Sequence, residues 1–374
     1  MAEENRRQLL QIASQPGNDT CADCGAKDPQ WASLTLGLFV CLDCAGIHRV
    51  LSLRVKSIKL DNWDQEQVDV MRTLGNEKAK ETYETCIPPF YRRPTQDDVH
   101  VLKKEWILAK YEREEFISKE QQNYDCTKKE GILFKLGRDR KTFQPRKFCL
   151  NRTNNKLEYY VNEQLKPKEE INLDDVNAVF VPEKIGHPNS MQITFLKNGS
   201  TRSLFVHSET SKDIVDWYYA IRAAKLDRRK IAFPDRNIEQ LAEDLTKDFL
   251  LEGWLYKMGP RNEPFKRRWF ILDKRKLMYF EEPLNAFPKG EVFIGNRESD
   301  YSVTKGATEG KGGSPNCFTL NTPERKFVMK AESKEEMDKW VDQLQKVVEM
   351  PLTPQDSKMA TLLVAKKPFN PIRR

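Results

Sequence analysis

CADCGAKDPQWASLTLGLFVCLDCAGIHRVLSLR, residues 21 to 54, decides the fold of the first third of the chain. Two Cys-x-x-Cys pairs, Cys21 with Cys24 and Cys41 with Cys44, stand sixteen residues apart. Such turns present four thiolates to one tetrahedral Zn²⁺, and a site filled by cysteine sulfur keeps no position for water or substrate. One structural zinc is therefore expected, bracing the segment next to it. That segment is AGIHRVLSLR, an expected helix in which Ile47 and Leu51 fall one turn apart on one face. At 100° per residue Arg49 lies about 200° around from Ile47, so burying that stripe turns the guanidinium outward. The plain reading is a solvated helix arginine; a metal-braced scaffold is also the setting a reactive arginine needs. Trp31 and His48 read first as a packing aromatic and a hydrogen-bonded structural histidine, and second as functional. Asp61 and Trp63 read as shaping the domain or its edge.

The whole chain has 374 residues, enough for two or three domains at roughly 100 to 200 residues each. Hydrophobic residues make up 39% and charged residues 32%, which is globular rather than disordered composition. Lysine and arginine outnumber aspartate and glutamate by 63 to 56, and a net +7 alone is compatible with nucleic acid, anionic lipid or neither. No apolar run approaches the roughly 18 residues of a spanning helix. The opening MAEENRRQLLQIASQPGN has acids and polar residues where a signal peptide needs an apolar core. A cytoplasmic protein is expected, and in a reducing compartment closely spaced cysteines are metal ligands before they are disulfides. Cys86, Cys126, Cys149 and Cys317 stand outside the pairs and are expected to be inert.

Residues 1–126 hold both pairs and end in VLKKEWILAKYEREEF, whose Leu102, Trp106, Ile107 and Phe116 suggest a packed helical face. The remainder repeats itself. EGILFKLG (130–137) overlies EGWLYKMG (252–259) at an offset of 122 residues. PRKFCL (145–150) overlies RRWFIL (267–272) at the same offset, and KLEYY (156–160) overlies KLMYF (276–280) at 120. Each copy closes on a helix-period segment, one carrying Ile214, Trp217 and Ile221, the other Met337, Trp340, Val341 and Leu344. A period this long marks two copies of one domain rather than a solenoid. Short strands rich in Phe, Tyr and Ile with one amphipathic helix after them read as a helix-capped β-sandwich. The expected units are 129–230 and 250–350, with a linker at 231–249 and a basic tail at 351–374.

In the second copy Lys257 lies on the first strand, while Lys266 and Arg268, two apart, share one face of the next. With Tyr279 they form a nest of long cations that suits the phosphates of an inositol ring. The first copy offers Lys135, Arg146 and Tyr159 at equivalent places, but Gln144 stands where the pattern has Lys266. Arg138, Arg140 and Lys141 in the preceding loop could supply the missing charge. The plainer reading of all these cations is an ordinary exposed face. Two weak sites facing one membrane reinforce one another, because the second sees its ligand at about millimolar effective concentration once the first is bound.

The first domain resembles the Arf GAP family, whose zinc module reads CxxC, sixteen residues, CxxC, four residues and Arg, flanked by Trp-Ala-Ser and Leu-Asp-x-Trp. Here these elements are Trp31, Ala32 and Ser33, then Arg49, then Leu60, Asp61 and Trp63. The resemblance implies that Arg49 is an arginine finger, inserted in trans to neutralise charge building on the phosphates of GTP bound to an Arf-type GTPase. The second copy, and the first less fully, resemble the phosphoinositide-binding subset of PH domains, which implies headgroup contacts at the lysine, arginine and tyrosine positions just named. A zinc module with two such units after it resembles the alpha centaurins, the Arf GAPs with dual PH domains. The fold class so implied is multidomain α+β. It comprises a small four-cysteine zinc domain, mostly helical with a short sheet, and two PH-type β-sandwiches each capped by a C-terminal helix. The function so implied is GTPase activation on an Arf, Arf6 first among them, by a monomer recruited to the plasma membrane by PIP3 or PI(4,5)P2.

Two rival readings stand beside it. A non-catalytic scaffold would use the lipid pockets and zinc domain only to dock cytoskeletal or signalling proteins, and Arg49 tells the two apart. A four-cysteine DNA-reading finger should show a basic helix after its second pair. AGIHRVLSL is mostly apolar with one arginine, so DNA is not an expected partner.

Overall fold

The structure, a computed structural model, describes residues 2–122, 124, 126–137, 142–161, 166–259, 264–306, 315–353, 356 and 360. The loop cations Arg138, Arg140 and Lys141 and most of the 351–374 tail lie outside the described residues.

Helix α1 (Ala2–Ala13) turns Asn5, Leu9 and Ile12 inward, the spacing of one helical face. Strands β1 (Trp31–Ser33) and β2 (Leu38–Val40) pair, α2 (Leu42–Val50) comes next, and β3 (Val55–Ser57) joins the other side of β1. The antiparallel sheet runs β2-β1-β3. Next come α3 (Gln65–Thr73), whose N-cap Asp64 accepts from the Gln67 N–H at 2.9 Å, and α4 (Gly75–Tyr83). Helix α5 (His100–Ile107) then widens into a π-helical turn over Leu108–Glu112. Leu102, Trp106, Ile107 and Phe116 are all buried, as their spacing requires. The widened turn also sends two successive side chains to buried acids. Lys110 Nζ lies 2.7 Å from Glu84, and the Tyr111 hydroxyl donates to Asp23 at 2.9 Å.

The first repeat unit contains β4 (Lys128–Leu136), β5 (Phe143–Asn151), β6 (Lys156–Tyr160), β7 (Glu169–Asn172), β8 (Asn177–Phe180), a short α6 (Pro182–Ile185), β9 (Ser190–Lys197) and β10 (Ser200–His207). Its strands are ordered β7-β6-β5-β4-β10-β9-β8, and α7 (Ser211–Ala232) caps them. After α8 (Ile238–Ala242) come β11 (Leu251–Lys257), β12 (Lys266–Asp273), β13 (Lys276–Phe280), β14 (Gly290–Phe293), β15 (Ser302–Lys305), β16 (Cys317–Asn321), β17 (Lys326–Lys330) and the cap α9 (Lys334–Glu349). Their order, β14-β13-β12-β11-β17-β16-β15, reproduces the first unit. The shared glycine of the repeat has a packing cause. A β-carbon on Gly131 would stand 3.4 Å from the Trp217 ring, and one on Gly253 would stand 3.9 Å from Trp340. In both units the cap helix lays its tryptophan on the strand at the glycine.

The two caps differ in their second neighbour. On α9, Met337, Trp340, Val341 and Leu344 are buried in the second unit's own core. On α7, burial extends beyond Ile214, Trp217 and Ile221 to Tyr218, Tyr219 and Arg222, because the zinc domain covers the other side. Tyr219 stacks on Tyr91 at 3.6 Å, Arg222 donates to the Phe90 carbonyl at 2.6 Å, and the Ser211 hydroxyl donates to Glu105 at 2.6 Å. Zinc domain and first sandwich thus share one hydrophobic core. The stretch after α7 tucks Leu241, Ala242 and Leu245 into it as well. Between the sandwiches, the Ser203 N–H donates to the Ala286 carbonyl at 2.8 Å, and Glu291 accepts from the Ser200 and Thr201 hydroxyls at 2.7 and 2.8 Å. Among the described residues no helix is long and apolar enough to cross a membrane.

Candidate functional site

The sulfur atoms of Cys21, Cys24, Cys41 and Cys44 all lie within 4.8 Å of one another, and Cys24 and Cys41 are 3.6 Å apart. Thiolates sharing a tetrahedral zinc at about 2.3 Å stand about 3.8 Å apart, so the quartet fits one Zn²⁺. Hydrogen bonds within the quartet couple the four thiols, drawing Cys24 and Cys41 below their ordinary value and pushing Cys21 and Cys44 above it. The other four cysteines are also free thiols, with Cys149 and Cys317 buried.

Cys41 and Cys44 sit at the start of α2, so the metal fixes the helix that carries Arg49. Cys44, Ala45, Ile47 and His48 are buried on one side of α2, while Arg49 is exposed on the other. The Arg49 guanidinium carbon lies 4.5 Å from the centre of the Trp31 ring, a cation–π contact of about 0.5–1 kcal/mol at an exposed site. His48 has a different task. It is fully buried, with Nε2 2.8 Å from Asp23 Oδ2. Burial works against the ionised Asp23, but His48, Lys110 and Tyr111 outweigh it and hold the carboxyl below its ordinary value. Nothing in the spacing of the sequence joins Asp23 to Tyr111, 88 positions away. Asp61 accepts from the Ser57 N–H at 2.6 Å and the Trp63 indole donates to the Ser57 carbonyl at 3.0 Å, so both brace the end of β3.

The predicted lipid-contacting residues fall on one face in each sandwich. Lys257 pairs with Lys266, Leu255 with Arg268 and Phe270 with Tyr279; Leu255 and Phe270 are core residues. The cations therefore extend the inward face of the sheet to its open end. In the first sandwich Lys135 pairs with Gln144, Leu133 with Arg146 and Phe148 with Tyr159, which gives the same arrangement.

Residues 6–120 match the ArfGap family, described as a GTPase activating protein for Arf, and residues 127–226 and 249–349 each match the PH domain family. Over 362 residues the chain is 44% identical to human Arf-GAP with dual PH domain-containing protein 2, covering 94% of this chain and 95% of that protein. The chain belongs to the Arf GAPs with dual PH domains. The mouse relative of the same description is 43% identical over 94% of this chain and 95% of its own length. A likeness confined to the zinc domain, 41% over 120 residues, is to human stromal membrane-associated protein 1, covering 31% of this chain and 25% of that one.

Within this Arf GAP the two PH domains are not equal. The first holds a cavity of about 690 Å³ lined by Lys135, Arg146 and Tyr159, and also by Lys168, Lys197 and Arg202, which the sequence pattern does not single out. Burial, with Arg202 and Arg146 close by, pushes the Lys135 ammonium down to about 8. Glu169 stands in the same cavity, bonded to Lys197 at 2.6 and 2.7 Å and paired with Arg202. The second PH domain has Gly290 at that place, opposite Tyr279. A β-carbon at Gly290 would meet the Tyr279 hydroxyl at 2.3 Å, so the tyrosine ring lies across a strand that only glycine leaves open. Lys257 Nζ sits 5.1 Å from that ring.

Proposed function

We propose that Arg49 is the arginine finger of this Arf GAP and that the GTPase it serves is Arf6 at the plasma membrane. One observation carries the reading: an exposed arginine rests on Trp31, on a helix whose first turn belongs to the zinc quartet and whose opposite face is buried. Zinc supplies rigidity, since its four positions are filled by sulfur. Contact with the Trp31 ring restrains the exposed guanidinium, and Val50, the next residue, is 74% exposed and adds an apolar contact for a docking partner. On docking, the planar guanidinium enters the GTP site and donates to phosphate oxygens as charge accumulates there, contributing roughly 10³ to 10⁵ in rate. Lysine offers a point charge without that fork.

The PH domains bring the finger to its substrate. Lys257, Lys266, Arg268 and Tyr279 bind the phosphates of PIP3 or PI(4,5)P2, and Lys135, Arg146 and Tyr159 bind a second headgroup. Docking and catalysis are separated by the nucleotide state of the partner. Arf6 with GDP and aluminium fluoride, which imitates the transferring phosphoryl group, should capture the wild-type protein and lose Arg49→Ala. Arf6 with a non-hydrolysable GTP analogue should capture both. Equal capture of the two proteins by the aluminium fluoride complex would remove Arg49 from the reaction.

A further inference from the structure

Arg202 enters the cavity of the first PH domain from β10. A terminal guanidinium nitrogen lies 3.4 Å from the Tyr159 hydroxyl, Glu169 pairs with it, and the side chain is 14% exposed. Its Nε is buried with no partner among the described residues. The guanidinium carbon lies 5.8 Å from the centre of the Phe195 ring and 5.6 Å from that of the Phe287 ring. Phe287 belongs to the second PH domain, in the loop between β13 and β14. That loop is pinned to β10 by the Ser203 to Ala286 hydrogen bond at 2.8 Å. A further cavity of about 600 Å³ runs between β10 and the loop and shares Lys135, Gly137, Arg202 and Phe287 with the first. Phe287 of the second domain therefore completes the lining of the first domain's pocket.

We propose that this pocket is built across the domain boundary: Arg202 is one of its phosphate-binding cations, and Phe287 is the residue that positions it. The inference rests on the reading of the pocket as an inositol-phosphate site and adds two residues and a coupling to it. A guanidinium held beside aromatic rings is aimed before the ligand arrives, which lowers the ordering cost of binding. Glu169 neutralises Arg202 and Lys197 while the pocket is empty of phosphate, and it opposes any phosphate that approaches them. Because Phe287 is supplied in cis by the neighbouring domain, a ligand in the pocket and the docking of the two domains must favour one another by the same factor.

The test uses the full zinc-loaded chain carrying Arg268→Ala, which silences the second PH site, titrated calorimetrically with a soluble inositol tetrakisphosphate. On that background Arg202→Ala should weaken binding about 10-fold or more, as expected for lost hydrogen bonds to a charged group. Phe287→Ala should weaken it roughly 3- to 30-fold, the range of a cation–π contact. Phe287→Tyr should restore it, and Glu169→Gln should tighten it. Thermal midpoints of all variants show that the fold is kept. Hydrogen exchange at residues 281–289 should slow on adding the tetrakisphosphate, a response that a purely structural Phe287 does not give. Unchanged affinity in Phe287→Ala, with binding abolished by Arg146→Ala, would overturn the proposal and leave the inositide reading intact. If the Arg268→Ala background binds no tetrakisphosphate, the inositide reading of this pocket fails first and takes the proposal with it. Repeating the titration with phosphatidylcholine vesicles with and without PIP3 separates a lipid headgroup from the free polyol phosphate as the source of the ligand.

Discussion

The two PH domains start from one plan and arrive at different anion receptors. Strand order, the glycine under the cap tryptophan, and the lysine, arginine and tyrosine of the open end are common to both. In the second, Lys266 extends the cationic pair and Gly290 leaves the tyrosine ring room. In the first, Gln144 replaces that lysine, an acid stands at the glycine's place, and Phe287 of the neighbouring domain joins the pocket's lining. The caps diverge similarly, since α9 closes a core of its own and α7 is sandwiched between its sheet and the zinc domain. A duplicated domain is thus tuned by what packs against it as much as by its own strands.

The largest effect that would break this comparison is on stability. Trp340→Ala and Trp217→Ala each remove a fully buried indole and should cost about 3–5 kcal/mol. By calorimetry the first should lower one transition only, whereas the second should lower the transition that also melts the zinc domain. Next in size are the phosphate contacts: Arg268→Ala and Arg146→Ala should each weaken inositol-phosphate binding about 10- to 100-fold at its own site and spare the other. A smaller effect separates the domains by pH. If phosphate binds Lys135 as proposed, it needs the charged ammonium, which burial and the nearby Arg202 and Arg146 push down to about 8, so affinity at the first site should fall roughly 10-fold between pH 7 and 9. Titration of Arg268→Ala at the two pH values checks this. The smallest is Gln144→Lys, which restores the pattern of the second domain and should tighten the first site about 5-fold on anionic vesicles.

Features governed by local spacing are legible in the sequence. Four cysteines at fixed intervals demand one tetrahedral metal, helical period alone turns Arg49 away from Ile47, and two tryptophans at matching places declare two copies of one cap. The features that are not legible depend on the pairing of distant strands and the docking of domains. Arg202 reaches Tyr159 because β10 lies beside β4 in the sheet, and Glu169 faces it through the β6–β7 pairing. Phe287 carries no signal at all in its own stretch. Spacing leaves His48 undecided between structure and function; its partner Asp23 lies within the zinc knuckle, so the pairing emerges only when metal turn and helix fold together. The all-round burial of α7 likewise comes from a neighbour more than 100 positions earlier, as the Ser211 to Glu105 bond shows.

The most direct test of the central claim is single-turnover GTP hydrolysis by lipid-anchored Arf6 on liposomes with and without PIP3, comparing the wild-type protein with Arg49→Lys. Hydrolysis accelerated by wild type, increased further by PIP3 and lost in Arg49→Lys is the result the arginine finger and the paired PH domains predict. Hydrolysis equal in both proteins, with liposome binding preserved, would contradict it and leave a membrane scaffold in place of a GTPase activator.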